Sequence, residues 1–398
     1  MIVSGPGVIG WSLCSDDWSS SPMCPRRAAR SPRNSEGTPS LRAPRLWSLL
    51  VFGAGVLLGA GLLLRESLTP ERDESRRDVR GQEIHPKSLS SAQLRNLVSE
   101  VSIPRLWSSF IGPMLIERSP GSAGNRLVRE LITGHLRSLS AGWTVDLDLF
   151  DAATPRGTLS FGSVIATLDH KAQHRLVFAC HLDSKWFLPD RRGRLFVGAT
   201  DSAVPCSLIL EAVTVLDTLL RQLKNKPSPL TLQLYFLDGE EALRDWTDTD
   251  SLYGARHLAQ RLETEPMPGG AGNQLSAIEL FVLLDLLGAP DPLILNHFPE
   301  TRTHFLRLLS LEKRLHGLGL LDSHPADHPY FRSDVYYGPV ADDHLPFLQR
   351  GVPVLHVIAT PFPAVWHTHD DTEENLHRPT VANLCRIFVA FLSETLSL

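Results

Sequence analysis

From Leu89 onward the hydrophobic positions follow two alternating rhythms. Short apolar runs of strand type, "WTVDLDLF", "GSVIATLD", "RLVFACHLD", "LTLQLYFLD", "IELFVLLDLL" and "VPVLHVIAT", are separated by stretches in which apolar residues recur every three to four positions. Those stretches predict helices over Ser90–Val101, Asn125–Leu139, Ala203–Leu223, Ser251–Leu262, Thr303–His316 and Thr380–Leu396. Several of the runs are apolar on both alternating faces, and such strands have to be covered on both sides. The pattern therefore predicts an α/β domain over 89–398, with a central mixed, mostly parallel β-sheet flanked by helices on both faces. No internal repeat divides it.

Ahead of this domain the pattern changes. Residues 1–45 are rich in Ser, Pro and Arg and lack a hydrophobic period, which predicts a disordered tail. "LWSLLVFGAGVLLGAGLLL", Leu46–Leu64, is nineteen residues without a charge, long enough to cross a hydrocarbon core of about 30 Å as one transmembrane helix. A cleaved signal peptide has an apolar part of roughly 7–15 residues close to the N-terminus, so an uncleaved anchor is expected, followed by a charged stem over 65–88. Arginines flank the span almost equally, with Arg26, Arg27, Arg30, Arg33, Arg42 and Arg45 before it and Arg65, Arg72, Arg76, Arg77 and Arg80 after it. The slight excess before it favours a cytoplasmic tail and a single-pass type II arrangement.

At 398 residues, 42% hydrophobic and 21% charged, with a formal net charge of -5, the chain shows no basic excess that would call for nucleic acid as a partner. Recognition has to be local, and the predicted strand ends are where ligands gather in an open α/β sheet. "RLVFAC" runs to His181 and Asp183, "LTLQLYFLD" to Glu240 and Glu241, "LFVLLD" to Asp285, and "VPVLHVIATPFPAVWH" to His367, while Asp201 precedes a helix in "GATDSAVPC". Carboxylates and imidazoles converging from separate strands form an oxygen and nitrogen set suited to zinc. Singly, each has an ordinary alternative: Asp201 as a helix cap, the histidines as hydrogen-bonded scaffold. The tandem Glu240 and Glu241 are harder to assign to scaffold, because two like charges directly after an apolar strand repel. Beside a metal, one carboxylate ligates while its neighbour takes and returns protons, and spacing leaves open which does which.

"ADDHLPF" adds Asp342, Asp343 and His344, of which one acid can share a proton with Asp285 or cap a helix. Phe362 and Trp366 beside His367, and Trp246 after the glutamate pair, suit the wall of a small pocket or the plain core. Cys180 and Cys206 flank these motifs, either as a disulfide, which needs an oxidising compartment, or as buried thiols. Cys385, on one apolar helix face with Val381, Leu384, Phe388 and Leu392, is expected to be a free core thiol.

In their order, "ACHLDSK", "FVGATDSAVPC", "FLDGEEALRDW", "DSLYGARHLAQ", "LLDLLGAP", "DDHLPFLQRGVPVLH" and "PFPAVWHT" resemble the glutaminyl-peptide cyclotransferases of animals, from about Leu89 to Leu398, and the anchor is similar to that of the Golgi-resident branch. The resemblance implies one zinc per chain held by Asp201, Glu241 and His367, with Glu240 as proton shuttle. It implies that Asp285 and Asp342 form a hydrogen-bonded acidic pair, that Trp246, Phe362 and Trp366 line the pocket, and that Cys180 and Cys206 form a disulfide. The implied reaction converts N-terminal glutamine, and more slowly glutamate, of peptides and proteins to pyroglutamate, in a Golgi-luminal domain tethered through Leu46–Leu64. Ala341 departs from the family pattern, which has a polar Gln or Glu there, so one hydrogen bond to substrate is expected to be missing. The rival is a two-zinc aminopeptidase, similar in fold, whose ligands and base would be His181, Asp183, Asp201, Glu240, Glu241, Asp285 and His367. A binding protein that has lost catalysis is a third reading, favoured only by Ala341.

Overall fold

Six strands build the main sheet of the computed structural model: β1 (Thr144–Thr154), β2 (Gly157–Thr167), β3 (His174–His181), β4 (Leu230–Leu237), β5 (Ile278–Asp285) and, after a two-residue parallel pair of β6 (Ile294–Leu295) with β7 (Phe331–Arg332), β8 (Val354–Ile358). The structure describes residues 87–398 apart from 227, 269–271, 335–337 and 339. The expected tail, membrane span and nearly all of the stem lie outside the described residues. The chain divides into two units, Met1–Gly81 and Gln82–Leu398, and all that follows concerns the second.

The sheet order is β1-β2-β4-β3-β5-β8. The hairpin β1–β2 and the β2–β4 pair are antiparallel, whereas β4, β3, β5 and β8 run parallel, so the sheet is mixed and mostly parallel as the apolar runs predict. Alternation decides which side chain meets which layer. Leu176, Phe178 and Cys180 of β3 join the larger core, and Val177 and Ala179 join the smaller one.

The larger core is covered by α1 (Ser91–Ser99), α2 (Ala123–Ser138), α3 (Val204–Val215), α4 (Asp217–Lys224), α6 (Arg302–Gly317) and α7 (Arg378–Thr395). The smaller is covered by α5 (Tyr253–Thr264). Local signals set several ends: Ser90 and Gln93 form a capping box at α1, and Ser122 accepts from Asn125 N–H at the start of α2.

One helix differs from expectation. The period over Ala203–Leu223 is a single pattern, but the chain bends by 67° between α3 and α4. At the bend Asp217 accepts from the backbone N–H groups of Ser140 and Ala141, at 2.9 and 2.8 Å, so a contact with the loop after α2 accompanies the change of direction. Among the described residues no single helix is long and apolar enough to cross a membrane. Cys180, at the end of β3, and Cys206, in the first turn of α3, form a disulfide with a Cα–Cα distance of 5.7 Å; Cys385 is free and buried.

Candidate active site

The carboxyl ends of β3, β4 and β5 bring His181, the two glutamates and Asp285 to one edge of the sheet, and two loops add Asp201 and His367. The glutamates leave β4 through a turn that requires glycine. Gly239 has φ of +78°, and a Cβ there would lie 2.5 Å from the Phe161 ring. Their backbone N–H groups donate to the two oxygens of Asp183, at 3.2 Å from Glu240 and 3.3 Å from Glu241. Just before the turn, Asp238 accepts from Asn125 Nδ2 and from Gly162 N–H, each at 2.7 Å. Burial, reinforced by the charge of Asp183, pushes Asp238 up to about 7.

His367 Nε2 lies 3.3 Å from Asp201 Oδ2 and 3.2 Å from Glu241 Oε1. The other Asp201 oxygen is 3.1 Å from His181 Nε2, which is 3.2 Å from Asp285 Oδ1. Two sets of donor atoms thus gather within 4.8 Å, one from Asp201, Glu241 and His367 and one from His181, Asp201 and Asp285. Neither ring nitrogen of His181, nor Asp201 Oδ2, nor Asp285 Oδ1 has a hydrogen-bond partner among the described residues. Imidazoles and carboxylates thus face one another at 3.1–3.3 Å without well-formed hydrogen bonds, and zinc satisfies a donor set of this type, so the residues fit the metal.

The loops are fastened from behind. Glu241 Oε2 accepts from Lys185 Nζ at 3.0 Å. Asp371 accepts from Thr200 N–H and Oγ1, at 2.9 and 3.0 Å, tying the Asp201 loop to the segment that carries His367. Arg118 is 1% exposed and donates to the carbonyls of Met114, Leu182, Val197, Gly198 and Asp201. Burial pulls its pKa down, opposed by the charges of Asp183, Asp201, Asp371 and Glu241.

Glu240 is buried beside this set, and its carboxylate hydrogen-bonds to no described residue. Burial, with the charges of Glu241 and Asp342 against that of His181, raises it well above the ordinary glutamate value. Asp285 is pushed up to about 7 by burial and by the charge of Asp342. No hydrogen bond joins Asp285 to Asp342. Asp342 Oδ2 is instead bonded to His356 Nε2 at 2.7 Å; against burial, that bond and the charges of His356, His344 and His181 hold Asp342 below its ordinary value. The two acids meet through charge.

These groups open into a cavity of about 370 Å³ lined by Asp201, Glu240, Glu241, Asp285 and His367 together with Trp246, Phe362 and Trp366. The Trp366 ring stacks on His367 at 3.9 Å between centroids, and Phe362 meets Trp366 at 4.9 Å. Trp246 and Trp366 are 44% and 38% exposed, which puts them at the mouth. Ala341 lines the same cavity and brings no side-chain donor or acceptor.

The profile of Peptidase family M28 matches residues 163–392. The glutaminyl-peptide cyclotransferase-like protein of Mus musculus is 58% identical over 311 residues, covering 78% of this chain and 80% of its own. Its counterpart in Bos taurus is 55% identical over 322 residues, covering 81% and 83%. The chain belongs to the glutaminyl-peptide cyclotransferase family. Among solved structures, the glutaminyl cyclase of Macrostomum lignano is similar at a TM-score of 0.72 and 35% identity, over 80% of this chain and 98% of that one.

Within this cyclotransferase scaffold, sequence reasoning passes over Arg118, Lys185, His356 and Asp371. Three of them leave a trace: Lys185 follows His181 and Asp183 in one motif, His356 interrupts an apolar strand, and Asp371 sits four residues after His367. Arg118 leaves none.

Proposed function

We propose that the cavity binds the N-terminal residue of a peptide, with Asp201, Glu241 and His367 holding a single zinc and Glu240 moving the protons. As a member of its family the chain is an acyltransferase that converts N-terminal glutamine of peptides to pyroglutamate with release of ammonia, and its cofactor is zinc. When bound, zinc polarises the γ-carbonyl of the substrate. The observation that carries the assignment is Glu240, a buried carboxyl that lines the cavity with no hydrogen-bond partner among the described residues, next to Glu241 in the ligand set.

The substrate supplies its own nucleophile. The α-amine attacks the γ-amide carbon of the same residue, so a folded-back conformation replaces a second reactant. Glu240 takes the proton that the amine releases and returns it to the amide nitrogen as the carbon–nitrogen bond breaks, so that ammonia leaves and the ring stays. Asp285 sets the amine and amide in register, backed by the charge of the buried Asp342, while Trp246, Phe362 and Trp366 pack the alkyl part and exclude water. Glutamate follows the same path more slowly, with loss of water.

Residues 46–64 serve in this proposal as a single-pass anchor, with the tail over 1–45 cytoplasmic, a stem over 65–88 and the catalytic domain over 89–398 in the Golgi lumen. Their uncharged length supports the span, and the Cys180–Cys206 disulfide supports an oxidising compartment. Protease protection of the two ends in intact vesicles tests the orientation.

The test of the chemistry is ammonia release from a glutaminyl peptide by the purified chain, beside a leucyl-amide substrate, with zinc counted on the same sample. Ammonia, a pyroglutamyl product and about one zinc per chain are expected of a site with one catalytic metal. Free leucine with two zincs would favour the aminopeptidase reading, in which His181 and Asp285 complete a second metal site sharing Asp201.

A further inference from the structure

The described residues enclose a second cavity of about 370 Å³, and the reaction leaves it without a role. It lies between the Trp186–Leu195 segment and the tip of the β1–β2 hairpin, and Arg156, Leu159, Trp186, Phe187, Leu188 and Leu195 line it. Trp186, Leu188 and Leu195 are 37%, 69% and 47% exposed, a cluster of large apolar groups of the kind that marks a binding surface.

Two links place this groove beside the catalytic cavity. Along one wall, Lys185 lines the catalytic cavity and the next residue, Trp186, lines the groove. The Phe187 ring, also in the groove lining, is 6.1 Å from the ring of His367, and His369 Nε2 is 3.1 Å from the carbonyl oxygen of Leu188. Along the other wall, Arg244 Nη2 donates to the carbonyl of Pro155 at 3.1 Å, joining the loop that carries Trp246 to the hairpin tip that carries Arg156. These contacts put the groove within reach of a chain that leaves the mouth between Trp246 and Trp366.

Charge identifies the occupant further. The Arg156 guanidinium lies 3.8 Å from the centroid of the Trp186 ring, and Arg156, Arg191 and Arg192 are exposed and form no ion pair among the described residues. Of the acids nearby, Asp190 is paired with Arg194 at 2.8 Å, while Glu117, at the other side of the groove lining, accepts from Ser119 N–H at 3.1 Å and keeps its charge.

We infer that the groove is a downstream subsite that grips the peptide substrate beyond its cyclising residue, seating an apolar side chain against Trp186, Leu188 and Leu195 and an acidic one against Arg156. The inference rests on the cyclisation reading, in which the peptide beyond its first residue stays attached throughout the reaction.

The experiment compares kcat/KM of the full-length chain for glutaminyl-alanine with that for two glutaminyl hexapeptides, one carrying leucine and aspartate downstream and the other leucine and lysine. The acidic hexapeptide is expected to exceed the dipeptide about tenfold, through KM, and the lysine hexapeptide to gain little. Arg156→Glu is expected to invert the preference between the hexapeptides, and Trp186→Ala to bring both towards the dipeptide. Equal ratios in the original chain and both variants would overturn the subsite and leave the groove to some other partner. Binding of the acidic hexapeptide is measured in parallel by calorimetry. If no glutaminyl substrate turns over, the cyclisation reading fails, and a hexapeptide affinity unchanged by Arg156→Glu independently sinks the groove.

Discussion

The cluster around Asp201 and the cluster around His356 offer the same ligand types at the same spacing. Donor atoms of Asp342, His344 and His356 gather within 4.8 Å, as do those of Asp201, Glu241 and His367. Their surroundings differ. The first cluster is closed: Asp342 is bonded to His356, the His297 ring packs 5.5 Å from that of His356, and burial with the charge of His356 drives His344 well below its ordinary value. The second lines the cavity, with the His367 side chain 22% exposed. Spacing alone therefore does not define a metal centre, since imidazoles packed among carboxylates produce it as a matter of course. Access to the cavity separates the two.

Substitutions can break or sharpen that contrast. The largest effect is expected from His367→Ala, which should abolish zinc retention on gel filtration and take turnover down with it. Retention of zinc by that variant would move the metal away from Asp201 and Glu241. Glu240→Gln should keep zinc and lose about 10²–10⁴ in kcat; near-normal turnover would remove Glu240 as the proton carrier.

His356→Gln tests the closed cluster. Zinc content should stay unchanged while kcat falls about 10–100-fold, the usual effect of losing a supporting partner. The sign of its pH effect is fixed: the hydrogen bond holds Asp342 below its ordinary value, so removing it raises Asp342 and should shift the acid limb of the rate profile to higher pH. Zinc loss in His356→Gln would erase the distinction between the clusters. The smallest expected effect on turnover comes from Cys206→Ser, which should leave the native rate nearly intact and lower stability by about 3 kcal/mol for a loop of this length, read as a drop in the urea midpoint under oxidising conditions.

Much of this arrangement is written in the pattern. Runs apolar on both faces, such as "LTLQLYFL", state that a strand is buried on two sides, and the polar residues that end them state where the site lies, because a charge cannot continue such a run. The bend at Leu216 is not legible, since Leu216 and Asp217 continue the helical period and only contact with Ser140 and Ala141 distinguishes them. Nor is the attachment of Asp342 to His356, which depends on how β8 faces the loop that precedes it. Arg118 is hidden for a different reason. Its acceptors are backbone carbonyls, which every residue has, so no side-chain pattern announces them.

That arginine carries a consequence for metal exchange. A guanidinium keeps its charge at any pH a protein survives, and here it grips the backbone that presents Asp201 without touching any metal-binding atom. Chelators and mild acid can strip the ion but not this clamp. The emptied socket should keep its shape, and zinc restored hours later should find its seat without the chain having to fold again.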